Sequence, residues 1–335
     1  MINALVLNDT SPSGHPGCAL VMSQLFAGCQ AAGIKIKQAI PLGRKFEKEW
    51  RSSVPKSDVV IINGEGTIHH DTPGALALAK AGAFACQQGI PVALINTVWQ
   101  DNRHANQLLG CATLIAARES YSAAEILRNG KKAIVVPDLT LSCPSSQLFS
   151  ASLPATGSII VTDDVRADIT MLLSRYARSR GLKFYPMVSV SFLRNPHEWL
   201  LRAQLGIAAK WAPPLRRDSL SIFAEAGVVV TGRFHGVCFA ILARRPFVAF
   251  ASNTHKIEGL LADAGLGEGG LLVPDPGHSP YTTIDLAVMQ VQEATGSTAH
   301  MVAYQDACRA YTELASMKAT AMFQAVASLA PEMAA

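Results

Sequence analysis

The chain has 335 residues, of which 49% are hydrophobic and 16% are charged, and its formal net charge is +4. This balance excludes a disordered chain, and the length predicts two domains because single hydrophobic cores rarely extend so far. The weak charge forms no Lys/Arg block with interleaved aromatic residues, so we expect no nucleic-acid partner.

Short apolar runs alternate with helical patterns in the first half of the chain. The Gly residues at positions 33, 89 and 130 each follow a helical pattern, as left-handed C-terminal caps would. This alternation is typical of a parallel, doubly wound sheet. The predicted strands are Ala4–Leu7, Ile34–Ala39, Val59–Ile62, Val92–Ile95, Leu114–Ala116 and Ala133–Val136, and the predicted helices are Ala19–Ala32, Pro73–Gln88, Ala105–Leu109 and Ser122–Asn129.

A second α/β set follows a stretch rich in Ser, Pro and Thr, Pro137–Gly157, which we interpret as a linker. Its predicted strands are Ile159–Thr162, Leu182–Met187, Val228–Thr231, Phe247–Ala251 and Leu271–Val273, and its predicted helices are Ala167–Arg180, Asp218–Ala226, Val237–Ala243 and Ile257–Ala264. An Ala-rich tail, Ala299–Leu329, is predicted to be helical. The expected α/β architecture is two Rossmann-like domains, 1–145 and 146–298, with a central cleft, and a helical segment, 299–335, that packs back on the first domain.

The segment MINALVLND opens directly on a strand-like run without a basic leader, and the most apolar stretch, Ala75–Ile95, is interrupted by polar residues and a proline. Seven scattered cysteines without a C-x-x-C pair are typical of a reducing compartment. We therefore expect a cytoplasmic protein without a membrane-spanning helix. Loose peripheral contact with a membrane stays open.

The most informative motif is Gly232-Arg233-Phe234-His235-Gly236, directly after the strand Val228–Thr231. The carboxyl ends of parallel strands are where open α/β sheets bind ligands, and a helix that starts at His235 would favour an anion there. Arg233 supplies a fixed cation, and His235 supplies a proton donor whose pKa a bound dianion would raise. The structural alternative is an ion pair at Arg233 and a helix cap at His235.

The next predicted strand is followed by Ser252-Asn253-Thr254-His255-Lys256. Ser252 or Asn253 could cap the following helix. A lysine at a helix N-terminus is unfavourable for the dipole unless it meets a bound anion. We therefore predict that Lys256 and Ser252 join Arg233, His235 and Gly236 in one anion-binding site, although a solvated Lys256 is the alternative.

A Gly-rich turn, with Gly64, Glu65 and Gly66, follows the strand Val59–Ile62. Its backbone N–H groups could bind an anion, and Glu65 could deprotonate a sugar hydroxyl or contact an acceptor. A structural turn with a capping acid is the alternative. The spacing fits neither a dinucleotide fingerprint nor a P-loop. His69, His70 and Asp71 follow, but adjacent side chains point in different directions, so no metal site is predicted.

Three further segments follow predicted strands. Arg118 could enter the cleft or pair with Glu119 or Asp138 on the surface. The loop Thr10–Gly17 suits ligand approach and could bring His15 to the cleft, or it could be mobile without a role. Met187–Ser191 could line the same cleft by its position alone.

These residues resemble the polysaccharide pyruvyltransferase family. The most specific part is VVVTGRFHGVCFAILARRPFVAFASNTHK with the following IEGLLADAGL, which has the family's R-x-H…S-x-x-x-K layout. The segments VVIINGEGTIHHD and RESYSAAEILRNGKKAIVVPDLTL are similar to the family's Gly-rich turn and its Arg-plus-acid helix start. Two features depart from the family, namely the loop SPSGHPG in place of Asn-x-Gly-Asp, and Glu65 with two histidines after the Gly-rich turn.

The resemblance implies a fold similar to GT-B glycosyltransferases and transfer of pyruvate from phosphoenolpyruvate to a sugar diol as a cyclic ketal. It implies that Arg233 binds the phosphate or carboxylate of this co-substrate, that His235 protonates its methylene carbon, and that Lys256 holds the anion. No further cofactor is expected. The acceptor would be a glycan or a lipid- or nucleotide-linked sugar, bound by the N-terminal half. Alternatives are a glycosyltransferase that uses a nucleotide sugar, or a non-catalytic sugar-binding protein on the same fold.

Overall fold

The computed structural model describes residues 2–106, 110, 112–149, 158–188, 220–266, 271–272 and 277–330. The chain forms two compact units. The N-terminal unit consists of Met1–Ser13, Leu20–Ser142 and Leu314–Ala335, and the C-terminal unit consists of Gly14–Ala19 and Cys143–Glu313. The short segment Gly14–Ala19 therefore groups with the C-terminal unit, although it lies near the start of the chain.

A six-stranded parallel sheet forms the centre of the N-terminal unit, with the order β2-β1-β3-β4-β5-β6. Alternate residues of β1 and β3 enter two different hydrophobic cores, since Leu5 and Val60 join one and Val6 and Ile61 join the other. Both faces of the sheet are thus covered, as in doubly wound folds. The strands are β1 Ile2–Leu7, β2 Ile34–Ile40, β3 Val59–Glu65, β4 Val92–Thr97, β5 Leu114–Ala117 and β6 Ile134–Val135, and the helices are α1 Pro16–Ala31, α2 Phe46–Ser53, α3 Pro73–Gln87 and α4 Ser120–Arg128.

The C-terminal unit contains a five-stranded parallel sheet with the order β11-β10-β9-β7-β8. Apolar residues of its central strands pack against two helices, for example Val230 against Leu173 and Ile284 in one core. The strands are β7 Ile159–Asp164, β8 Lys183–Tyr185, β9 Val228–Gly232, β10 Phe247–Phe250 and β11 Leu271–Leu272, and the helices are α5 Ala167–Ser179, α6 Ser221–Glu225, α7 Phe234–Leu242, α8 Lys256–Ala264, α9 Pro280–Ala294 and α10 Thr298–Ala327.

The strand orders place a topological switch point in each sheet. In the N-terminal unit the order reverses between β1 and β3, and in the C-terminal unit it reverses between β7 and β9. Ligands of open α/β sheets bind outside the carboxyl ends of the strands at such points. The carboxyl ends of β3 and β9, with the residues that follow them, carry the Gly-rich motif and the Arg-x-His motif.

The last helix, α10, contributes its C-terminal part to the N-terminal unit. Met322, Phe323 and Val326 are buried in the core beneath β1 and β3. The Phe323 ring lies so close to Gly28 that a Cβ there would be 2.2 Å from it. The helix therefore packs on the first domain as expected. Among the helices that the structure describes, none is both long enough and apolar enough to cross a membrane.

Within the described residues, the sequence predicted the strands and most helices to within a few residues, but it missed two helices. The first, Phe46–Ser53, buries only Phe46 and Trp50 in an otherwise polar segment. The second, Pro280–Ala294, starts with a capping Ser279 and is rich in β-branched residues, which favour strands. The predicted helix Ala105–Leu109 lies largely outside the described residues.

The predicted linker also begins later than the sequence indicated. Leu139–Ser142 forms a 3-10 helix whose first three residues are buried in the N-terminal unit. A second 3-10 helix, Ser145–Gln147, belongs to the C-terminal unit, and residues 150–157 lie outside the described part of the chain. The predicted glycine caps are confirmed, with φ of +75°, +72° and +76° at positions 33, 89 and 130.

Candidate active site

The Arg-x-His motif connects β9 to α7 through a hydroxyl-stabilised turn. The Arg233 backbone N–H donates to Thr231 Oγ1 at 3.1 Å. The Thr162 hydroxyl of β7 also donates a hydrogen bond to Thr231 Oγ1, at 2.6 Å. A Cβ at Gly236 would lie 2.2 Å from Thr231 Oγ1, so only glycine fits there. This packing fixes Arg233 at the N-cap of α7 and buries His235 in its first turn.

Arg233 forms a buried ion pair with Asp163 at the carboxyl end of β7. The Arg233 guanidinium donates to Asp163 Oδ2 at 2.7 Å, while the backbone N–H of Met187 donates to Asp163 Oδ1 at 2.8 Å. Asp163 is fully buried, and the Arg233 side chain keeps 15% exposure. The structural alternative for Arg233 is thus present in the molecule. Its positive charge is partly compensated before any ligand binds.

His235 lies against a second buried histidine, His15, from the N-terminal loop. The two ring centroids are 5.1 Å apart at an angle of 58°. A Cβ at Gly17 would be 2.2 Å from His235 Cγ, so this glycine lets the loop approach. Burial, followed by the charges of His235 and Arg233, lowers the pKa of His15 well below its usual value, while Asp163 opposes the shift. His15 is therefore a neutral neighbour of His235.

The same loop provides a thiol beside the two imidazoles. Among the described residues, one group of three potential metal ligands lies within 4.8 Å of one another, formed by His15, Cys18 and His235. The predicted alternatives for this loop were a role at the site or mobility without a role. Residues 15–17 are buried, whereas residues 11–14 are exposed.

The second predicted segment lies after β10, the neighbour of β9 in the sheet. Lys256 is the first residue of α8 and is only 7% exposed, and its ammonium donates to Asn253 Oδ1 at 2.5 Å. The N-cap is His255, without a side-chain capping bond, so the proposed cap at Ser252 or Asn253 is wrong. A solvated Lys256 is also wrong, because the residue is buried.

An acidic residue next to the motif was not foreseen from the sequence. Asp164, which follows Asp163 at the end of β7, is buried and accepts from the Arg166 backbone N–H at 2.6 Å. Burial raises the pKa of Asp164, against the opposing hydrogen bond and charge of Arg166. The acidic pair that ends β7 could have been noticed, because it follows an apolar strand as the Arg-x-His motif does.

In the N-terminal unit, the Gly-rich turn carries a strained, buried glutamate. Glu65 has φ of +38° and is 4% exposed, and its Oε2 accepts from Asn63 Nδ2 at 3.3 Å. A Cβ at Gly64 would lie 2.3 Å from Thr97 Oγ1 of the neighbouring strand. A non-glycine residue in this conformation is uncommon and often marks a functional position.

Arg118 lies next to this turn and is almost completely buried. It pairs with Asp138 at 3.3 Å, with side-chain exposures of 1% and 0%. The nearest Arg118 atom would be 3.9 Å from a Cβ at Gly66, so the guanidinium adjoins the turn. The predicted pairing with Asp138 is therefore present, but its expected surface location is wrong. Glu119 instead caps α4 by accepting from the Ser122 backbone N–H at 2.9 Å.

The histidines after the turn have other contacts. His69 Nδ1 lies 2.9 Å from His70 Nδ1, and His70 Nε2 lies 3.3 Å from Asp101. Asp71 accepts from three backbone N–H groups of residues 103–105 and from the His104 side chain. Although burial opposes them, these donors hold the pKa of Asp71 well below its usual range. Asp71 thus fixes a neighbouring loop.

The predicted residues therefore fall into two groups, one in each unit. The C-terminal unit brings Arg233 and His235 together and adds Asp163 and His15, with Ser252 and Lys256 at the end of the adjacent strand. The N-terminal unit gathers Gly64, Glu65, Gly66 and Arg118. Met187, which follows β8, donates a backbone hydrogen bond to Asp163. Residues 189–191 of the same predicted segment lie outside the described part of the chain.

Comparison with known families gives one match. The family model described as polysaccharide pyruvyl transferase matches residues 29–254, which is about two-thirds of the chain and includes the Gly-rich turn and the Arg-x-His motif. No curated protein has a significant sequence match.

Comparison with solved structures gives matches along nearly the whole chain. The UDP-GlcNAc 2-epimerase from Methanocaldococcus jannaschii, in complex with UDP-GlcNAc and UDP, has a TM-score of 0.59 at 14% identity, covering 86% of this chain and 92% of that one. The UDP-GlcNAc 2-epimerase from Neisseria meningitidis, bound to UDP-GlcNAc, scores 0.54 at 13% identity and covers 97% and 99%. MurG from Acinetobacter baumannii scores 0.51 at 15% identity and covers 99% and 100%. These likenesses confirm the GT-B-like α/β fold with two domains.

Proposed function

Because the chain belongs to the polysaccharide pyruvyl transferase family, we propose that it transfers pyruvate from phosphoenolpyruvate to a sugar diol. The product is a cyclic ketal on a polysaccharide or glycan precursor, and phosphate is released. The observation that carries this proposal is the position of Arg233 at the N-cap of α7 and of a buried His235 in its first turn, at the switch point of the C-terminal sheet. A proton donor beside a cation at a helix N-terminus suits an anionic substrate that must be protonated.

The charges of this site favour an anion even after internal pairing. Asp163 compensates Arg233, and Arg166 pairs with Asp164. Lys256 adds a buried cation that donates a hydrogen bond to the Asn253 amide oxygen. The N-terminal ends of α7 and α8 add two positive dipole ends at neighbouring strands. These dipoles, with the cations at the ends of neighbouring strands, favour an anionic ligand.

The reaction follows from these groups. His235 donates a proton to the methylene carbon of phosphoenolpyruvate, and the adjacent carbon becomes oxocarbenium-like. One sugar hydroxyl attacks this carbon as it loses its proton to Glu65, phosphate leaves with the electrons of its C–O bond, and the second hydroxyl closes the ketal as its proton passes to the released phosphate. Arg233 and Lys256 stabilise the donor's negative charges throughout. The neutral His15 beside His235 does not add a second positive charge that would repel the imidazolium.

In this proposal, the acceptor sugar binds at the carboxyl end of β3 and the turn that follows it. Glu65 accepts the proton of a sugar hydroxyl, and the backbone around Gly64 and Gly66 admits the sugar. The positive φ of Glu65 supports this role, because strain in a non-glycine residue is retained where surrounding structure and function demand it. Arg118, which is paired with Asp138, positions the turn.

The direct test is phosphate release from phosphoenolpyruvate with a panel of glycan diols. His235→Ala should lower the rate by about 10²–10⁴-fold, the usual contribution of a positioned acid. His300→Ala is the matched control, since His300 is exposed in α10. Full activity of His235→Ala would overturn the assignment of the acid.

Donor identity is tested by ligand-induced stabilisation. A ligand at 100 times its Kd raises the free energy of unfolding by about 2.7 kcal/mol. Phosphoenolpyruvate should raise the melting temperature of the wild type, and the rise should vanish in Lys256→Ala. Stabilisation by a UDP-sugar, with none by phosphoenolpyruvate, would favour the glycosyltransferase alternative.

A further inference from the structure

A group of three nitrogen and sulfur ligands lies in the C-terminal unit. His15 and Cys18 have an H-x-x-C spacing at the start of α1, and His235 comes from the first turn of α7. Their ligand atoms lie within 4.8 Å of one another. Two ligands close in sequence and a third from a distant segment are a common arrangement in metal sites. The sequence contained this signal as H-x-x-C, although its cysteine spacing alone did not reveal it.

We propose that His15, Cys18 and His235 form a binding site for a borderline-soft transition-metal ion, best represented by Zn²⁺. Two imidazole nitrogens and one thiolate sulfur are ligands that Zn²⁺ prefers, and three protein ligands leave a fourth position open. The three side chains are held by packed segments, since Gly17 abuts the His235 ring and both histidines are buried. Cys18 is only partly buried, which leaves an approach for the ion.

The state of His15 suits coordination. Its imidazole is neutral, because burial and the neighbouring charges disfavour its protonated form, and neutral imidazole is the form that binds metals. Metal binding must break or alter one hydrogen bond, in which the Gly17 N–H donates to His15 Nδ1 at 3.0 Å. A metal at Nδ1 competes for this lone pair, and a metal at Nε2 moves the ring proton to Nδ1. Loss of one such hydrogen bond lowers affinity by about tenfold.

The surrounding charges select the kind of ion. Asp163 only partly compensates Arg233, and the N-terminal end of α7 also repels cations, so a hard ion with purely electrostatic binding is disfavoured. Coordination by a thiolate adds a covalent contribution that Mg²⁺ and Ca²⁺ do not gain. The site should therefore bind Zn²⁺ and Co²⁺ and discriminate against Mg²⁺.

Metal binding has a consequence that rests on the proposed function. His235 cannot coordinate an ion and donate a proton to the substrate carbon at the same time. Occupancy of the site therefore excludes turnover, and Zn²⁺ acts as an inhibitor that competes for the catalytic acid. The thiol of Cys18 makes this inhibition specific, because catalysis itself does not use it.

The site is tested with Co²⁺ as a spectroscopic probe of the full-length protein. Wild type should show a near-ultraviolet thiolate-to-cobalt absorption at one equivalent. Cys18→Ser should lose this absorption, and His15→Gln should bind Co²⁺ at least about tenfold more weakly. Cys86→Ser is the matched control, since Cys86 is also partly buried but lies outside the group. An unchanged absorption in Cys18→Ser, or unchanged affinity in His15→Gln, would overturn the proposal.

A second measurement separates this site from the proposed reaction. Phosphate release is measured with and without Zn²⁺, and each variant is compared with its own metal-free rate. Zn²⁺ should suppress wild type and Cys86→Ser far more than Cys18→Ser, and a chelator should restore the rate. Cobalt binding without any turnover of phosphoenolpyruvate would support the site and contradict the proposed function. Turnover without cobalt binding would contradict the site alone.

Discussion

The buried pair of Arg233 and Asp163 allows the most quantitative prediction. Asp163→Asn keeps the size of the side chain and an acceptor for the Met187 N–H, but it removes the charge that faces Arg233. Breaking a buried ion pair by neutralising one partner costs about 3–5 kcal/mol. Arg233 retains 15% exposure and so reaches some water, which places the expected cost near the lower end, at about 3 kcal/mol.

This cost translates into a measurable change of melting temperature. For a unit of 150–250 residues, each 1 kcal/mol corresponds to about 2–4 °C, so Asp163→Asn should lower it by about 6–12 °C. Asp285→Asn is the matched control. Asp285 pairs with Arg180 at partly exposed positions, where an ion pair contributes at most about 1 kcal/mol. Circular dichroism during heating measures both variants.

Catalysis gives an independent readout of the same variant. If Asp163 positions Arg233 for the donor, Asp163→Asn should raise KM for phosphoenolpyruvate, by about tenfold for each 1.4 kcal/mol of lost binding. A melting temperature as high as that of Asp285→Asn would refute the energetic reasoning. A lower KM would mean that Asp163 competes with the donor for Arg233 rather than positioning it.

Three further predictions concern packing and protonation. Gly17→Ala should lower phosphate release by at least about tenfold, because the added Cβ would lie 2.2 Å from the ring of His235, whereas Gly43→Ala, with no atom within 4 Å, should not. Burial, followed by the charges of His235 and Arg233, lowers the pKa of His15 in the folded protein well below about 6.5, its value in an unfolded chain. Because the unfolded chain then binds the proton more tightly, the free energy of unfolding is highest above pH 6.5 and falls by at most about 1.4 kcal/mol per pH unit as the pH decreases. His15→Gln should reduce this pH dependence of the free energy of unfolding, measured by chemical denaturation. Phe323→Ala should lower the free energy of unfolding by about 3–5 kcal/mol, as a fully buried ring does.

Much of the fold was readable from local patterns because parallel strands are buried on both faces. Val59–Ile62 is a continuous apolar run, and the strand was predicted there. The strand in fact continues through Asn63-Gly64-Glu65, which is also buried. Polar side chains end a hydrophobic pattern but not a hydrogen-bonded strand, so the functional end of β3 lay just beyond the predicted boundary.

The sequence predicted only those residues of the candidate site that lie within a single motif. Arg233, His235 and Lys256 follow apolar strands directly, so their place at the edge of the sheet could be predicted. Their partners could not, since Asp163 is 70 residues away from Arg233 and His15 comes from the other end of the unit's sequence. Such contacts depend on strand order, and β7 becomes the neighbour of β9 only in the folded sheet.

Strand order also changes the chemistry expected of the site. From the sequence, Arg233 and Lys256 were predicted to be two cations of one anion-binding site beside an imidazole. In the fold, Asp163 partly compensates the charge of Arg233, and Lys256 donates a hydrogen bond to the Asn253 amide oxygen. The bond to Asp163 orients the Arg233 guanidinium, which suits this residue to positioning the donor. Replacement of Arg233 should therefore lower the rate of the bound complex.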